Sequence, residues 1–471
     1  MTGGARVAVV GGGLAGVAAA LRCADAGLAV TLLESRARLG GVAGSFTRSV
    51  QSDSAEGELA VDTGQHVLLR CCTAYRDLVA RLGATDLILL QERLDIPVLA
   101  PGAAPARLRR TGLPAPLHLG AALLRYRHLP VADRFRLARA ALALGRVDRA
   151  DPATDARSFG DWLAAHGQGP RAVDALWDVV GIATLNARAG DASLALAATV
   201  FQLGLLTDAA AGDIGWATAP LGAIHDDAAR RALASAGVEV RRSAKVRALV
   251  QDGTDPGGRW RVLVGTTDGE EELVTDRIVS AVPPGPAERL LPPGALPLPG
   301  DWAARLGSTP IVNVHVVYDR RVLDAPFAAG VYTPVQWVFD RTDQSGAATV
   351  YGPRAQYLAV SVSAADDLVG LPAATLRERF LPALEALLPA ARDAVVLESF
   401  VTREPHATFR GAPGQAALRP GPRTALPGLY VAGAWTDTGW PATMEGAVRS
   451  GEAAAEALLA DRAAVPAEVA A

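Results

Sequence analysis

The sequence predicts an α/β fold in which a Rossmann-like, dinucleotide-binding domain is interleaved with a second domain made of a helical lobe and a mostly antiparallel sheet. The first 36 residues read as strand, glycine turn, helix and strand, which is half of a doubly wound nucleotide-binding fold. Further along, a helical region rich in Ala, Leu and Arg gives way to segments of β-branched residues. Half of the 471 residues are hydrophobic, which suffices for an extensive core.

The dinucleotide-binding domain is predicted from three parts of the chain. In the first part, an apolar strand over 7–10 leads through the glycines into a helix over 14–26, and a second strand covers 29–33. The later parts add, in chain order, strands over 238–242, 277–282 and 428–432 and a helix over 443–459. We therefore assign to this domain residues 1–84, 220–300 and 422–462.

The second domain occupies the two intervening parts of the chain. Between residues 81 and 214, apolar residues at helical spacing, punctuated by prolines, predict a mostly helical lobe. Three later segments predict a half-buried antiparallel sheet that floors a substrate cavity, because they alternate apolar and polar residues or run β-branched, over 309–318, 331–339 and 357–363. The resulting assignment is residues 85–219 and 301–421, followed by a flexible tail over 463–471.

Composition excludes several classes of protein. The net charge of −3 is spread over residues of both signs, so no nucleic-acid partner is expected. Cys23, Cys71 and Cys72 offer neither a disulfide framework nor a CxxC pair, which suits a reducing compartment. No export signal is recognised, and no segment reaches the ~18 uninterrupted apolar residues of a membrane-spanning helix. The expected location is therefore cytoplasmic.

The turn after the first strand reads Gly11-Gly12-Gly13-Leu14-Ala15-Gly16, a GxGxxG motif between a strand and a helix. Its glycines permit a tight turn, close approach of the backbone to a pyrophosphate, and close helix packing. Glu34 ends the second strand, where a carboxylate can accept hydrogen bonds from both ribose hydroxyls. We therefore predict dinucleotide contacts from Gly11, Gly13, Leu14, Ala15, Gly16 and Glu34.

The residues after Glu34 indicate which dinucleotide is bound. Ser35-Arg36-Ala37-Arg38-Leu39-Gly40-Gly41 combines a basic spacer with a second glycine pair, and it resembles the FAD signature of the amine oxidase and carotenoid desaturase superfamily. The superfamily commonly has an arginine where this chain has Val42. The stretch 238–246 resembles the family's strand and turn whose backbone contacts adenine. Together these resemblances imply FAD as the cofactor, with contacts from Ser35, Arg36, Gly40, Gly41, the backbone of Val42, and Val246.

A second resemblance lies near the C-terminus. The stretch 429–451, with Gly433-Ala434-Trp435 and Pro441-Ala442-Thr443-Met444, resembles the flavin-covering motif of hydroxysqualene dehydroxylases, a branch of the same superfamily. A helix beginning near Thr443 would direct N–H groups at the flavin pyrimidine edge, where negative charge collects in the reduced form. Ala434 stands where the branch usually has an acid. The implied cofactor contacts are Gly433, Ala434, Pro441, Ala442, Thr443 and Met444.

A third resemblance concerns candidate catalytic residues. Asp62-Thr63-Gly64-Gln65-His66 resembles the Asp-x-Gly-Gln-His segment of that branch, which in its relatives passes close to the flavin at the mouth of the substrate cavity. His66 could act as an acid, and Asp62 could orient it or act as the acid itself. Alternatively, Asp62 caps a turn and His66 is a hydrogen-bonded core residue. The stretch 403–409, with its Ala-Thr-Phe triplet, also resembles the branch and is interpreted as a loop near the flavin.

The branch resemblance implies reductive removal of the hydroxyl of hydroxysqualene to give squalene, a step in bacterial routes to hopanoids. In this reaction reduced FAD gives hydride to an allylic carbon. Because the chain has one GxGxxG motif in a strand–helix context, electrons are expected from an external donor. The alternatives are a carotenoid-type desaturase acting on a polyisoprenoid, an amine oxidase-like flavoenzyme, and an isoprenoid-binding protein that keeps FAD only structurally.

Residues 107–139 hold eight arginines against the single acid Asp133, interleaved with leucines and Phe135. Basic and apolar residues at helical spacing suit docking on an anionic bilayer, from which an apolar isoprenoid would be collected. This interpretation places the protein peripherally on the inner face of the cell membrane. A solvated helix face is the alternative.

Overall fold

The computed structural model describes residues 5–52, 55–252, 258–266 and 269–463. Residues 253–257 and residues 464–471 of the predicted tail lie outside this range. The strands in the described residues are β1 (Arg6–Val10), β2 (Ala29–Leu33), β3 (Ser45–Ser52), β4 (Ala55–Asp62), β5 (Val67–Leu69), β6 (Ile88–Leu90), β7 (Asp95–Leu99), β8 (Ala106–Arg109), β9 (Ile214–Ala217), β10 (Glu239–Arg241), β11 (Lys245–Gln251), β12 (Trp260–Thr266), β13 (Gly269–Thr275), β14 (Arg277–Ser280), β15 (Ser308–Tyr318), β16 (Phe327–Gly330), β17 (Trp337–Asp340), β18 (Gln356–Val362), β19 (Val396–Phe409) and β20 (Leu429–Val431).

The α-helices follow the same chain order. They are α1 (Leu14–Asp25), α2 (Thr73–Arg81), α3 (Gly120–Leu124), α4 (Val131–Leu144), α5 (Pro152–Asp155), α6 (Phe159–Ala165), α7 (Pro170–Ala172), α8 (Asp178–Leu185), α9 (Leu194–Phe201), α10 (Ala229–Ser235), α11 (Pro284–Leu290), α12 (Trp302–Leu306), α13 (Thr342–Ser345), α14 (Ala347–Tyr351), α15 (Ala373–Leu387) and α16 (Met444–Ala463). Short π-helical segments cover Val173–Trp177, Gln202–Leu206 and Ala223–Ala228. Single 3₁₀ turns cover Thr85–Leu87, Leu117–Leu119, Ala189–Asp191, Pro389–Ala391 and Ala416–Leu418. In the described part of the chain, no helix is both long and apolar enough to cross a bilayer.

The first sheet is built from five parallel strands in the order β10-β2-β1-β14-β20. Every residue of β1 after Arg6 is buried, because both faces of the sheet are covered. On one face α1 and α16 cross so closely that a Cβ on Gly451 would lie 2.0 Å from the carbonyl oxygen of Ala15. On the other face Val10 packs in one cluster with Trp260 of the sheet β11-β12-β13. The predicted Rossmann-like architecture is confirmed.

The second large sheet has seven strands in the order β19-β15-β18-β17-β16-β7-β8 and is antiparallel except where β16 meets β7. Helix α15 packs against one face of it. Leu376, Phe380 and Leu384 recur every four residues and therefore lie on one side of the helix, in a cluster with Val314 and Val360. The prediction of a mostly antiparallel second sheet is confirmed, and the domain boundaries assigned from the sequence stay a prediction.

The prediction of a mostly helical region from 81 to 214 is wrong for its first part. Residues 88–109 hold three strands, β6, β7 and β8, of which β7 and β8 form the edge of the seven-stranded sheet. Val98 pairs with Ala329, so the partner strand lies far along the chain and leaves no local signal. The rest of this region is helical, from α3 to α9.

Two later predictions also need correction. The strand predicted over 331–339 is interrupted, because β16 ends at Gly330 and β17 begins at Trp337, with Tyr332 at φ +60° in the turn between them. The stretch 403–409 is not a loop, since it forms the second half of the long strand β19. Thr408 in this strand accepts a hydrogen bond from the Asn186 side chain at 2.9 Å, which ties the strand to the end of α8.

Candidate active site

The glycine turn between β1 and α1 is compact. Gly11 has φ +106°, and a Cβ on Gly16 would lie only 1.8 Å from the Gly11 carbonyl oxygen, so neither position accepts a side chain. Gly13 differs, because a Cβ there would meet only the Cα of Gly41, at 4.0 Å. The protein's own packing therefore does not require a glycine at position 13, and the open side of this turn fits a ligand that approaches the backbone.

Helix α1 begins at Leu14, and its N-terminus suits an anion. Gly13 precedes the helix without a side-chain cap, and the first turn contains no acidic residue. The N–H groups of a first helical turn have no partner within the helix, and the helix dipole adds partial positive charge there. The N–H groups of Leu14, Ala15 and Gly16 therefore fit the pyrophosphate of a dinucleotide.

Glu34 is buried directly after β2, next to the glycine turn. One carboxylate oxygen accepts a hydrogen bond from the Gly12 N–H at 2.7 Å. The other accepts from the Arg36 N–H at 2.7 Å and the Ser35 hydroxyl at 3.1 Å. A carboxylate offers about four acceptor sites, and three are used, so about one site remains for a ribose hydroxyl, on the oxygen that accepts from Gly12. The Ala244 N–H donates to the Glu34 carbonyl at 2.9 Å, which brings the start of β11 and hence Val246 to this corner.

The second glycine pair lies alongside the first turn. The Gly40 N–H donates to the Gly12 carbonyl at 2.9 Å, and Gly40 and Gly41 both have positive φ, at +90° and +60°. The side chain of Val42 is exposed, so the backbone of this loop is what faces the glycine turn. Arg38 donates from its guanidinium to the Gly41 carbonyl at 3.0 Å and stabilises the loop from within.

A buried histidine, which was not predicted from the sequence, stabilises the loop 40–43. His225 Nδ1 lies 2.6 Å from the Ala43 carbonyl, and its Nε2 lies 2.8 Å from the Tyr75 hydroxyl. Because a carbonyl only accepts, Nδ1 carries the proton and Nε2 accepts from the tyrosine. Burial lowers the pKa of His225 to about 4, so the ring stays neutral and the arrangement is fixed at physiological pH.

The C-terminal motif forms a buried loop between β20 and α16. The Gly433 N–H donates to the Ser450 hydroxyl at 2.8 Å, and Gly433 has φ +136°. The buried Arg419 donates to carbonyls within the loop, including those of Thr436 and Trp440, both at 2.8 Å. Arg419 was also not predicted, because it precedes the motif and its hydrogen bonds go to backbone carbonyls. This guanidinium holds the segment that leads to Pro441 and Ala442.

Helix α16 begins at Met444, one residue after the predicted start, and the Thr443 hydroxyl accepts from the Gly446 N–H at 3.1 Å as its N-cap. The buried carboxylate of Glu445 serves a different helix. It accepts from the Tyr75 N–H at 2.8 Å and pairs with Arg449 at 2.6 Å. The N-terminal ends of α2 and α16 therefore meet at one carboxylate.

Asp62 is buried at the end of β4, where its carboxylate has several partners. One oxygen accepts from the Ser45 hydroxyl at 2.6 Å and the Leu221 N–H at 3.0 Å. The other forms an ion pair with Arg341 at 2.5 Å. Both carboxylate oxygens thus accept hydrogen bonds from protein donors, which leaves neither oxygen positioned to give a proton to a substrate. Asp62 as the acid is therefore not carried into the proposal below.

His66 is half-buried in the segment between β4 and β5. Its Nδ1 lies 3.0 Å from the Gly64 carbonyl, so Nδ1 carries a proton, and the carbonyl rather than Asp62 orients the ring. Burial lowers the pKa of His66; the Gly64 bond and Asp62 raise it, and Arg341 lowers it. His66 also lowers the pKa of His225, because the two rings are close enough to interact electrostatically. His66 therefore lies near the proposed FAD cradle, a name we use for the glycine turn 11–16, Glu34, the loop 40–43 and the loop 433–444.

Three aromatic side chains form a row that begins on β9, the strand that pairs with β5. Trp216 of β9 stands opposite Val67 of β5, one residue after His66, in the small sheet β5-β9-β6. Its ring meets Phe327 edge to face, with ring centroids 5.5 Å apart. Phe327 in turn lies 6.0 Å from Trp337 between ring centroids. This row of rings belongs to or borders the largest apolar core.

The family of the chain follows from this fold and cradle together with a sequence comparison. Residues 14–459 match the family described as flavin containing amine oxidoreductase. The match spans almost the whole chain, so the chain belongs to this family. It is an FAD-dependent oxidoreductase.

Comparison with known relatives indicates which branch of this family the chain resembles. A hydroxysqualene dehydroxylase of Rhodopseudomonas palustris is 32% identical, covering 96% of this chain and 98% of its own length. A hydroxysqualene dehydroxylase of Sinorhizobium fredii is 27% identical, covering 97% and 98%. A zeta-carotene desaturase of Zea mays is 26% identical, covering 95% of this chain and 82% of its own length. The resemblance to the hydroxysqualene dehydroxylase branch is therefore supported over the full chain.

Solved structures agree on the fold. A redesigned putrescine oxidase superimposes with a TM-score of 0.68 at 20% identity, covering 97% of this chain and 99% of its own. A putative protoporphyrinogen oxidase from Exiguobacterium gives a TM-score of 0.66 at 18% identity, covering 97% and 99%. At these identities the similarity concerns the fold alone.

Proposed function

We propose that this chain removes the hydroxyl group of hydroxysqualene reductively and releases squalene. The observation that carries the proposal is the 32% identity to a hydroxysqualene dehydroxylase over 96% of the chain. The apolar aromatic row beside His66 supports it, because the substrate is a long hydrocarbon with one polar group. The reaction balances when one proton and one hydride convert the C–OH group into C–H and water.

The predicted cofactor residues divide into two groups around FAD. We propose that Gly13, α1 and Glu34 hold the pyrophosphate and ribose, while the loop from Gly433 to Met444 covers the flavin ring. When bound in its reduced form, FAD supplies the hydride. The protein residues bind and orient the two reactants and keep water away from them.

His66 is the proposed proton donor to the leaving hydroxyl. Because its Nδ1 proton is engaged by the Gly64 carbonyl, Nε2 is the atom that carries the transferable proton in the imidazolium form. Asp62 and Arg341 form a fixed pair behind it, so their role is to position the segment. The ring faces of Trp216 and Phe327 are suited to stabilise positive charge on the allylic carbon chain.

We also propose that electrons reach FAD from an external donor, and that the protein works peripherally on the inner face of the cell membrane. The substrate class supports this location, because a hydrocarbon of this size resides in the bilayer rather than in water. The specific surface that meets the bilayer is a separate question, treated below.

A carotenoid-type desaturase is the second candidate, favoured by the 26% identity to a zeta-carotene desaturase. Such an enzyme removes hydride from its substrate and therefore needs oxidised FAD. The two functions are thus separated by the direction of electron flow. An amine oxidase activity is favoured by the family match and by the shared fold, and not by the relatives named above.

The test is an anaerobic single-turnover assay. Purified protein with FAD reduced by dithionite is mixed with hydroxysqualene in detergent, and the products are extracted and identified by mass spectrometry. We expect squalene in a one-to-one ratio with reoxidised flavin. Reoxidation without squalene, or conversion of a carotene precursor only with oxidised flavin and a quinone, would overturn the proposal.

A further inference from the structure

Large apolar side chains are exposed on one part of the protein surface. Among the described residues, seven large apolar side chains are more than half exposed, and only Val395 lies outside the stretch 113–142. Soluble proteins rarely expose such groups close together without a partner. We call the other six the 113–142 surface, and its members are Leu113, Leu117, Leu124, Val131, Phe135 and Leu142.

Helix α4 shows that this exposure is patterned. Val131, Phe135 and Leu142 are separated by four and seven residues, so they form one stripe along the helix. The opposite side of α4 is buried through Leu137, Ala140 and Leu144, which belong to the largest apolar core. The helix is therefore apolar on two faces, and only one of them is covered by the protein.

Charge around the 113–142 surface is strongly positive. Residues 111–147 contain six arginines and one acid, Asp133, which gives a local net charge of +5 in a chain whose total is −3. Within the described residues, Arg125, Arg127 and Arg139 have no ion-pair partner, and Arg136 pairs with Asp133 at 2.8 Å. Free guanidinium groups beside exposed leucines are suited to anionic headgroups above an acyl layer.

Three arginines of the stretch 107–139 form ion pairs within the protein and are therefore not counted in the 113–142 surface. Arg107 and Arg109 pair with Asp95, at 2.8 and 3.6 Å. Arg110 pairs with the fully buried Asp213 at 2.6 Å. These arginines hold β8 to its neighbours, so the segment predicted for membrane contact, 107–139, is corrected to 113–142.

We propose that the 113–142 surface docks on an anionic lipid bilayer. A second copy of the chain is the less suitable occupant, because two surfaces of charge +5 repel each other. The buried side of α4 belongs to the same core as Trp337 and Trp435, so the docked lobe connects the bilayer with the aromatic row. The role of this surface in collecting substrate rests on the proposed function, whereas lipid docking itself does not.

The test uses flavin-loaded protein and sedimentation with vesicles of phosphatidylcholine, with or without phosphatidylglycerol. We expect binding to anionic vesicles that weakens with added salt. Phe135→Glu and Leu124→Glu should each weaken binding about tenfold or more, because an exposed apolar side chain that would enter the bilayer is replaced by a charge. Arg125→Gln and Arg139→Gln should each weaken it roughly fivefold, and only for anionic vesicles.

Val395→Glu is the matched control, because Val395 is 57% exposed yet lies outside the surface. It should bind vesicles like the unmodified protein. Flavin absorbance and thermal unfolding check that each variant is folded. Absence of sedimentation with anionic vesicles overturns the proposal, and so does a Phe135→Glu variant that keeps vesicle binding but turns a dimer into a monomer in ultracentrifugation.

The two proposals fail separately. Protein that does not bind vesicles but converts detergent-dispersed hydroxysqualene retains the proposed reaction and loses the docking surface. Protein that binds vesicles but yields no squalene from reduced flavin retains the docking surface and loses the reaction.

Discussion

The FAD cradle and the His66 site are held together in different ways. In the cradle, backbone atoms contact backbone atoms, as between the Gly40 N–H and the Gly12 carbonyl at 2.9 Å. Around His66, the decisive contact is an ion pair between Asp62 and Arg341, which are 279 residues apart in the chain. The glycine turns of the cradle therefore depend on the absence of side chains at their glycines. The His66 site depends instead on charged residues that the fold brings together from distant parts of the chain.

Because of this difference, we expect the two regions to affect different measured properties of the protein. Changes around His66 should alter turnover or stability and leave FAD in place. Changes in the cradle should alter FAD affinity first. Four experiments test the distinction, in order of decreasing expected effect.

His66→Ala should lower kcat by about 10²- to 10⁴-fold, the usual contribution of a positioned proton donor. Flavin content should stay unchanged, because the side chain is not part of the cradle. Single-turnover squalene formation under anaerobic conditions measures the effect. Unchanged turnover in His66→Ala would remove the histidine from the mechanism and break the comparison.

The pH profile gives the matching control for His66. Only the imidazolium can donate, and burial lowers the pKa of His66, so kcat should fall as pH rises through a value below about 6.5. Asp62 raises and Arg341 lowers the pKa of His66, and burial has the largest effect. In His66→Ala this pH dependence should disappear, and it should persist in His166→Ala, a histidine at the end of α6.

Arg341→Met should destabilise the protein by about 3–5 kcal/mol, because it leaves the buried Asp62 carboxylate without its counter-charge. Urea unfolding of the flavin-loaded protein measures the change. Arg81→Met, which breaks an exposed pair with Asp25, should cost less than about 1 kcal/mol. The double variant Asp62→Asn, Arg341→Met should recover much of the loss, and equal losses in all three variants would contradict the ion-pair interpretation.

Gly13→Ala should weaken FAD binding by about 10- to 100-fold and leave the thermal stability of the flavin-free protein unchanged. The reason is that a Cβ at position 13 meets no protein atom closer than 4.0 Å and so intrudes only on the ligand. Gly16→Ala is the contrasting variant, since its Cβ would lie 1.8 Å from a carbonyl oxygen and should disrupt the fold. Flavin titration and calorimetry of both variants sharpen the distinction between packing and ligand binding.

Ala434→Glu should strengthen FAD binding by about 2- to 10-fold, the range of one added hydrogen bond. The position lies in the loop after Gly433, where related enzymes usually have an acid. Ala434→Leu should give no gain, because it adds volume without an acceptor. Flavin titration distinguishes the two variants, and an equal affinity in both would indicate that the loop does not contact the ribityl chain.

The glycine turn and Glu34 could be located from the sequence because their determinants are local, and their contacts with FAD stay a prediction. The glycines and Glu34 lie within 35 residues, and each has a direct steric or hydrogen-bonding reason that is visible from spacing. The segment containing Asp62 and His66 was found by resemblance, and their partners were not. Arg341 carries no local motif, and its role arises only when β4 and the turn after β17 come together.

The remaining differences have a similar cause. The strands β6 and β7 were missed because β9 and β16, with which they pair, are distant in the chain, and β8 is short and pairs with β7 at the edge of the sheet. His225 was missed because its contacts are with a carbonyl and a tyrosine far along the chain. Amphipathic spacing did identify the basic lobe. It could not show that Arg110 is already paired with Asp213, because an ion pair between segments 103 residues apart leaves no periodic signal.

The carboxylate of Glu445 caps helix α2 across 370 residues of chain. On the ribosome, α2 emerges early and stays uncapped until Glu445 has been synthesised. The strand β20, which completes the parallel sheet, emerges equally late. The FAD cradle can therefore close only after both of these segments have been synthesised, and translation products truncated before β20 should remain colourless.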